Sequence, residues 1–132
     1  MNASGHLRPL ILCVDDKVSE SQLDLFARVL EVSGYAVLTA SGAFEALEIF
    51  RKNQVDLVLT EHIRVAHAGR TLSATMKRLK PAVPVAIYSA DLVESPEDMR
   101  FADAFITKLV SIEELLSSIQ KLLQKVPVAM GA

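Results

Sequence analysis

Short runs of apolar residues alternate along the chain with longer segments in which apolar residues recur every three or four positions. The first run, Leu10 to Val14, is apolar throughout and stops at two aspartates. Similar runs occupy residues 35–40, 55–60, 84–90 and 105–107. The runs at 10–14 and 55–60 lack strict alternation, which is typical of strands in a parallel sheet covered on both faces.

The intervening segments have the period and the end signals of helices. Ser19, with Gln22 three residues later, predicts a capped helix over about residues 19–33, and Gly34 stands where a C′ glycine belongs. Further helices are predicted from Ser41, with the inner face Phe44, Leu47 and Phe50; over about residues 70–79; from Ser95; and from Ser111, where Glu114 completes a capping box.

The element order is therefore (βα)₅. Right-handed crossovers turn this order into an α/β fold with a doubly wound parallel five-stranded sheet. A length of 132 residues leaves no room for a second domain of ordinary size. In such sheets ligands bind at the carboxyl ends of the strands, so the residues that follow each strand are the first candidates for function.

Composition excludes several classes of protein. The net charge of −2 argues against a direct nucleic-acid binder, which would show a basic excess. The single cysteine, Cys13, excludes an internal disulfide and is expected to be an inert core thiol. There is no apolar run of membrane-spanning length and no apolar signal core at the N-terminus. We therefore expect a cytoplasmic protein that does not contact a membrane.

Five polar residues directly follow, or end, the predicted strands. They are Asp15 and Asp16 after the first, Glu61 after the third, Ser89 at the end of the fourth and Lys108 after the fifth. The three carboxylates would repel one another unless a cation lay among them, and oxygen ligands of this kind suit Mg²⁺. A hydroxyl and an ammonium beside such carboxylates form a set that can bind a phosphoryl group.

These features resemble the receiver domain of the bacterial response-regulator family. The matching segments are LILCVDD at 10–16, VDLVLTEHIRVAHAG at 55–69, PVAIYSA at 84–90 and FITKL at 105–109. The resemblance covers residues 9–125 as one receiver-like domain, between a flexible N-terminus at 1–8 and a flexible tail at 126–132. It implies a flavodoxin-like strand order, 2-1-3-4-5.

The resemblance also implies roles for the strand-end residues. A residue after the third strand accepts a phosphoryl group from a histidine kinase, and Ser89 and Lys108 hold that group. The implied ligands of Mg²⁺ are Asp15, Asp16, Glu61 and the backbone carbonyl of Ile63. Phe105 takes the place of the aromatic residue that changes rotamer in the family.

The sequence departs from the family pattern at the centre of this site. Glu61 stands where the family has a phospho-accepting aspartate, with the register fixed by Gly69. The loop Arg64-Val65-Ala66 differs from the family's Met-Pro-Gly-like loop, and the segment between Ser89 and Lys108 is shorter by about one helical turn of 3.6 residues. Leu109 replaces the proline that usually follows the lysine with a cis bond, so we expect a trans Lys108–Leu109 bond and a slightly displaced Lys108.

These departures predict a receiver-like signalling module that is not an enzyme and is not phosphorylated at the usual position. Glu61 is then either a built-in negative charge or the remnant of a decayed site, and both interpretations stay open. Mg²⁺ is expected to bind weakly or not at all. With no effector domain in the sequence, we expect action through protein partners, a histidine kinase or another regulator, on the face of the last two helices and the fifth strand.

Four alternatives remain at this stage. The first is an ordinary phosphorelay receiver that is still modified. The second is a small Mg²⁺-dependent phosphatase, although the run Asp15-Asp16-Lys17 lacks the Asp-x-Asp pattern of such enzymes. The third is a flavodoxin-like cofactor binder, for which no phosphate-cradling loop follows the first strand. The fourth is a transition-metal site formed by His62, Glu61 and His67, whose spacing matches no common metal motif.

Overall fold

A computed structural model of the protein describes residues 7–65, 70–91 and 100–124. The strands are β1 (Leu10–Val14), β2 (Ala36–Ala40), β3 (Leu57–Thr60), β4 (Arg64–Val65), β5 (Arg70–Thr71), β6 (Val85–Ser89) and β7 (Ala104–Thr107). The helices are α1 (Glu20–Val32), α2 (Ala43–Lys52), α3 (Leu72–Leu79) and α4 (Ile112–Gln124). The predicted helix that begins at Ser95, the glycine at 69 and the tail lie outside the described residues.

Five strands form one parallel sheet in the order β2-β1-β3-β6-β7. Numbered among themselves, these five strands have the order 2-1-3-4-5, so the predicted flavodoxin-like α/β fold is confirmed. The strands were predicted to end near residues 14, 40, 60, 89 and 107, and they end at those residues. The carboxyl end of each strand thus lies on the same edge of the sheet.

Helix α1 begins and ends as its sequence predicts. The Ser19 hydroxyl accepts a hydrogen bond from the Gln22 backbone N–H, and the Gln22 side chain accepts one from the Ser19 N–H. Gly34 follows the helix with a φ of 107°, a left-handed conformation that costs glycine little and other residues more. The chain can therefore reverse directly from α1 into β2.

Helix α2 differs from its prediction in two ways. Its N-cap is Gly42 rather than Ser41, whose backbone N–H donates to the Glu45 carboxylate. Phe44, expected on the inner face, is 81% exposed, whereas Phe50 is fully buried. Six residues turn a helix by about 600°, which leaves Phe44 about 120° away from Phe50. The short antiparallel pair β4 and β5 was not predicted at all.

Apolar side chains pack on both faces of the sheet. One core lies under α2 and α3 and contains Phe50, Leu72 and Met76. The other lies under α1 and α4 and contains Leu30, Leu115 and Ile119. Burial on both faces explains why β1 is apolar throughout and why β3 is apolar up to Thr60. Within the described part of the chain, no helix is long and apolar enough to span a membrane.

The opposite edge of the sheet is fixed by Asp56, an acid that precedes β3. Its carboxylate accepts a hydrogen bond of 2.7 Å from the Leu10 N–H, and its own N–H donates to the Leu10 carbonyl at 2.8 Å. Asp56 is 6% exposed. Because Asp56 precedes β3, it lies at the edge of the sheet opposite to the strand-end residues Asp15, Glu61, Ser89 and Lys108.

We expect Asp56→Ala to lower the free energy of unfolding by about 2 kcal/mol, because the buried Leu10 N–H loses a charged acceptor. Urea unfolding should show a lower midpoint at an unchanged slope. Asp56→Asn keeps an acceptor oxygen at the same distance from the backbone, so its loss of unfolding free energy should be smaller. Equal losses in the two variants would mean that the hydrogen bond is not the cause.

Candidate functional site

Four of the predicted site residues meet at the carboxyl edge of the sheet. Asp15 follows β1, Glu61 follows β3, Ser89 ends β6 and Lys108 follows β7. The Lys108 Nζ lies 2.6 Å from Asp15 Oδ2 and 3.0 Å from Glu61 Oε2. One ammonium thus joins the carboxylates that follow two neighbouring strands.

Glu61 is the most buried of these charged groups, with its side chain 2% exposed. The Ser89 hydroxyl and the Lys108 ammonium hydrogen-bond its carboxylate, and the His62 backbone N–H donates to Oε1 at 3.2 Å. Burial alone would raise the pKa of Glu61, but these donors and the charge of Lys108 outweigh burial and lower it. Glu61 therefore remains ionised at neutral pH.

The pKa of Lys108 also reflects two opposing effects. Burial favours the neutral amine and would lower the pKa, whereas the hydrogen bonds to Asp15 and Glu61 raise it above its ordinary value. The two shifts agree, since each partner stabilises the charged form of the other. The edge therefore holds a fixed pattern of charge that includes two acids and one ammonium.

A second ammonium, from Lys17, reaches the same carboxylate from the other side. Its Nζ lies 3.6 Å from Glu61 Oε1 and 3.0 Å from Asp91 Oδ2. The sequence did not single out Lys17 or Asp91 as site residues. The available signal was their position, since Lys17 directly follows the acid pair and Asp91 comes two residues after Ser89.

The oxygen atoms that the resemblance assigns to Mg²⁺ already accept hydrogen bonds. Asp15 Oδ2 accepts from Lys108 and Asp15 Oδ1 from the Lys17 backbone N–H at 2.8 Å. The Ile63 carbonyl accepts from the Leu72 N–H at 2.7 Å. Asp16 is exposed, and the described residues contain no group of three or more acidic, histidine or cysteine side chains placed to hold a metal. These residues do not fit a preformed divalent site.

Aromatic side chains line the sheet beside the charged groups. Tyr88 stacks on Phe26 with ring centroids 5.4 Å apart, and the Lys108 Nζ lies 5.8 Å from the Tyr88 ring centroid. Burial raises the pKa of the Tyr88 hydroxyl. Phe105, the predicted switch aromatic, is partly buried in β7 opposite Ile87. Sequence reasoning chose Phe105 and missed Tyr88, which lies one residue before the site hydroxyl.

Three further sequence predictions concern residues near this edge. The described chain contains no cis peptide bond, so the Lys108–Leu109 bond is trans as predicted. Of the two histidines considered as ligands of a transition metal, His62 is partly buried and His67 lies outside the described residues. Cys13 is 2% exposed, and burial together with the nearby charge of Asp15 raises its pKa, which fits an unreactive core thiol.

The sequence and this geometry can be compared with known families. A family model described as the response regulator receiver domain matches residues 11–120. The chain belongs to this family. It is therefore a receiver domain of the kind used in two-component signalling, and the fold predicted from the resemblance is the family's fold.

Curated relatives of this receiver are much longer proteins. It is 30% identical over 126 residues to the transcriptional regulatory protein GlrR of Escherichia coli (strain K12), an alignment that covers 92% of this chain and 28% of that protein. It is 34% identical over 91 residues to the autoinducer 1 sensor kinase/phosphatase LuxN of Vibrio harveyi, covering 69% of this chain and 10% of that protein. The chain thus spans less than a third of either relative.

A solved structure gives the same picture of the fold. Response regulator protein TrrA from Thermotoga maritima, crystallised in complex with Mg²⁺-BeF, superposes with a TM-score of 0.73 at 25% identity. The match covers 87% of this receiver and 99% of that chain. That protein was crystallised with Mg²⁺ bound, whereas in this chain the Asp15 and Ile63 oxygens that the resemblance assigns to Mg²⁺ accept hydrogen bonds.

Proposed function

We propose that this receiver is a signalling module whose phospho-acceptor position, Glu61, carries a permanent negative charge instead of a phosphoryl group. The module is not an enzyme, and it acts in the cytoplasm by binding other proteins. Its partner is a histidine kinase or another regulator. The relatives support this class of partner, since receivers similar to this one form parts of a transcriptional regulator and of a sensor kinase.

The observation that carries the proposal is the pairing of the Glu61 carboxylate with Ser89 and Lys108. In a phosphorylated receiver these two groups hold the phosphoryl oxygens. Glutamate is longer than aspartate by one carbon–carbon bond, about 1.5 Å, and this length places its oxygens where the hydroxyl and the ammonium can bind them. Glu61 supplies one negative charge, against about 1.5 to 2 for a phosphoryl group.

The same geometry opposes phosphorylation. An incoming phosphoryl group needs the acceptor oxygen in line with the donor phosphorus and needs free donors at Ser89 and Lys108. Here Glu61 itself occupies those donors.

The proposal assigns the partner-binding role to the surface near β7 and α4, where Leu109 is 76% exposed and Ile112 is 39% exposed.

Incubation with acetyl phosphate and Mg²⁺ tests the proposal. We expect the intact mass of the wild-type protein to stay unchanged, because Glu61 blocks the position of the incoming group. Glu61→Asp shortens the side chain, which frees Ser89 and Lys108 and withdraws the carboxylate from Lys17, so this variant should gain one phosphoryl group. A phosphoryl adduct on the wild-type protein would refute the proposal and favour an ordinary phosphorelay receiver.

A second measurement separates a functional charge from a decayed site. Glu61→Gln keeps the shape of the side chain and removes its charge. If the charge sets the signalling state, amide chemical shifts should change as far as Phe105 and the start of α4. Changes confined to residues that contact Glu61 would favour decay.

A further inference from the structure

Lys17 lies between two parts of the site that come from different strands. Its ammonium is 3.6 Å from the Glu61 carboxylate after β3 and 3.0 Å from the Asp91 carboxylate after β6. The two oxygens of Glu61 are thus paired separately, Oε1 with Lys17 and Oε2 with Lys108. The Lys17 backbone N–H also donates to Asp15, which fixes the turn from which the side chain extends.

We infer that the Lys17 ammonium is a built-in cation that replaces a divalent metal ion at this edge and excludes it. It pairs with Glu61 and joins Asp91, which follows β6, to the carboxyl end of β3. This inference rests on the proposed function, because it explains how the permanent charge at Glu61 is balanced without a bound ion.

The ammonium groups already present at this edge support exclusion of the metal. Glu61 and Asp15, the two buried carboxylates at this edge, both pair with Lys108, and Lys17 pairs with Glu61 and with the exposed Asp91. Mg²⁺ requires oxygen ligands at about 2.0–2.1 Å and gives up its bound water reluctantly. Binding of the ion at Glu61 would require displacement of the Lys17 ammonium or would be opposed by electrostatic repulsion from it.

The pairing with Asp91 links the site to the segment that follows β6. Asp91 also donates its backbone N–H to the Ser89 hydroxyl at 3.1 Å, so this residue contacts two site groups. The Lys17–Asp91 ion pair therefore joins Asp91 to the site without a bound metal ion.

Titration of the full chain with MgCl₂ tests the inference by calorimetry and by amide shifts of Asp15, Glu61 and Asp91. The wild-type protein should show no saturable change in the millimolar range. Lys17→Gln and Lys17→Met should both gain binding. We expect their affinity to be about thirtyfold higher, the effect of removing a unit charge about 4 Å from a divalent ion in water-like surroundings.

Two control variants isolate the charge of Lys17. Lys17→Arg keeps the charge and should remain insensitive to Mg²⁺. Lys52→Gln makes the same charge change at an exposed ion pair on α2 and should also remain insensitive. Wild-type binding as tight as that of Lys17→Gln, or failure of both Lys17→Gln and Lys17→Met to bind, would overturn the inference.

The result of the MgCl₂ titration is independent of the result of the phosphorylation test. Mg²⁺ binding by a wild-type protein that acetyl phosphate does not label would remove the role of Lys17 and leave the proposed function standing. Labelling of the wild-type protein would remove the proposed function itself. Thermal unfolding of each Lys17 variant checks the fold, which should be retained because the Lys17 side chain is 49% exposed.

Discussion

We expect Lys108→Met to lower the free energy of unfolding by about 3 kcal/mol, because the variant leaves Asp15 Oδ2 and Glu61 Oε2 without the ammonium that pairs with them. Lys108 bridges Asp15 and Glu61, whose side chains are 11% and 2% exposed. Methionine fills a similar volume, so the loss comes from charge rather than from a cavity. Chemical unfolding at neutral pH measures the difference.

The pH dependence of this loss follows from the direction of the two pKa shifts. Glu61 has a lowered pKa, so its pairing stabilises the fold above the ordinary value of 4.5 and the benefit disappears as the pH falls through the folded value. Lys108 has a raised pKa, so its contribution is complete below 10.5 and is lost as the pH rises through the folded value. The difference between wild type and variant should therefore be largest between these limits.

Lys52→Met is the matched control, since it removes a lysine whose side chain is 74% exposed and paired with Glu48. We expect a change of less than about 1 kcal/mol there. A similar loss in both variants would mean that net charge, and not the buried pairing, controls stability. Adding Glu61→Gln to Lys108→Met should recover part of the loss, because one buried charge is then gone.

The second large effect is expected at Phe50→Ala, with a loss of about 4 kcal/mol for a fully buried aromatic ring. Phe50 is completely buried under α2, and the Lys80 ammonium lies 4.9 Å from its ring centroid while hydrogen-bonding the Asn53 carbonyl. Truncation removes both the core packing and the surface on which Lys80 rests. Denaturant unfolding measures the loss.

Phe44→Ala makes the same substitution on the same helix at a side chain that is 81% exposed. We expect a change within about 0.5 kcal/mol, as for most surface positions. Comparable losses at Phe44 and Phe50 would contradict the orientation of α2. The pair of variants therefore tests the inner face of α2, on which the sequence pattern placed Phe50 correctly and Phe44 wrongly.

The strand ends were predictable because the physics that fixes them is local. A five-residue apolar run such as Leu10 to Val14 is typical of a strand buried on both faces, and the two aspartates that follow it mark the end of the strand. Parallel topology then brings Glu61, Ser89 and Lys108 to one edge whatever the details of packing. The capping box of α1 is equally local, since Ser19 and Gln22 are three residues apart.

The features that could not be predicted depend on distances across the fold. The orientation of α2 depends on which residue begins the helix, and Gly42 gives no side-chain cap to indicate it. Lys17 and Asp91 are 74 residues apart, and nothing in either local sequence indicates that they pair. The short pair β4 and β5 consists of two residues on each side, too short for a periodic pattern.

The buried cysteine gives this receiver an internal chemical probe of local unfolding. Cys13 lies in β1 between Thr39 and Leu59 of the neighbouring strands, two residues before Asp15. Alkylating reagents attack the thiolate, and burial suppresses both that species and reagent access. Its alkylation rate therefore reports how often β1 opens. A partner that separates Lys108 from Asp15 would increase the alkylation rate of Cys13. A partner that stabilises the carboxyl edge of the sheet would decrease that rate.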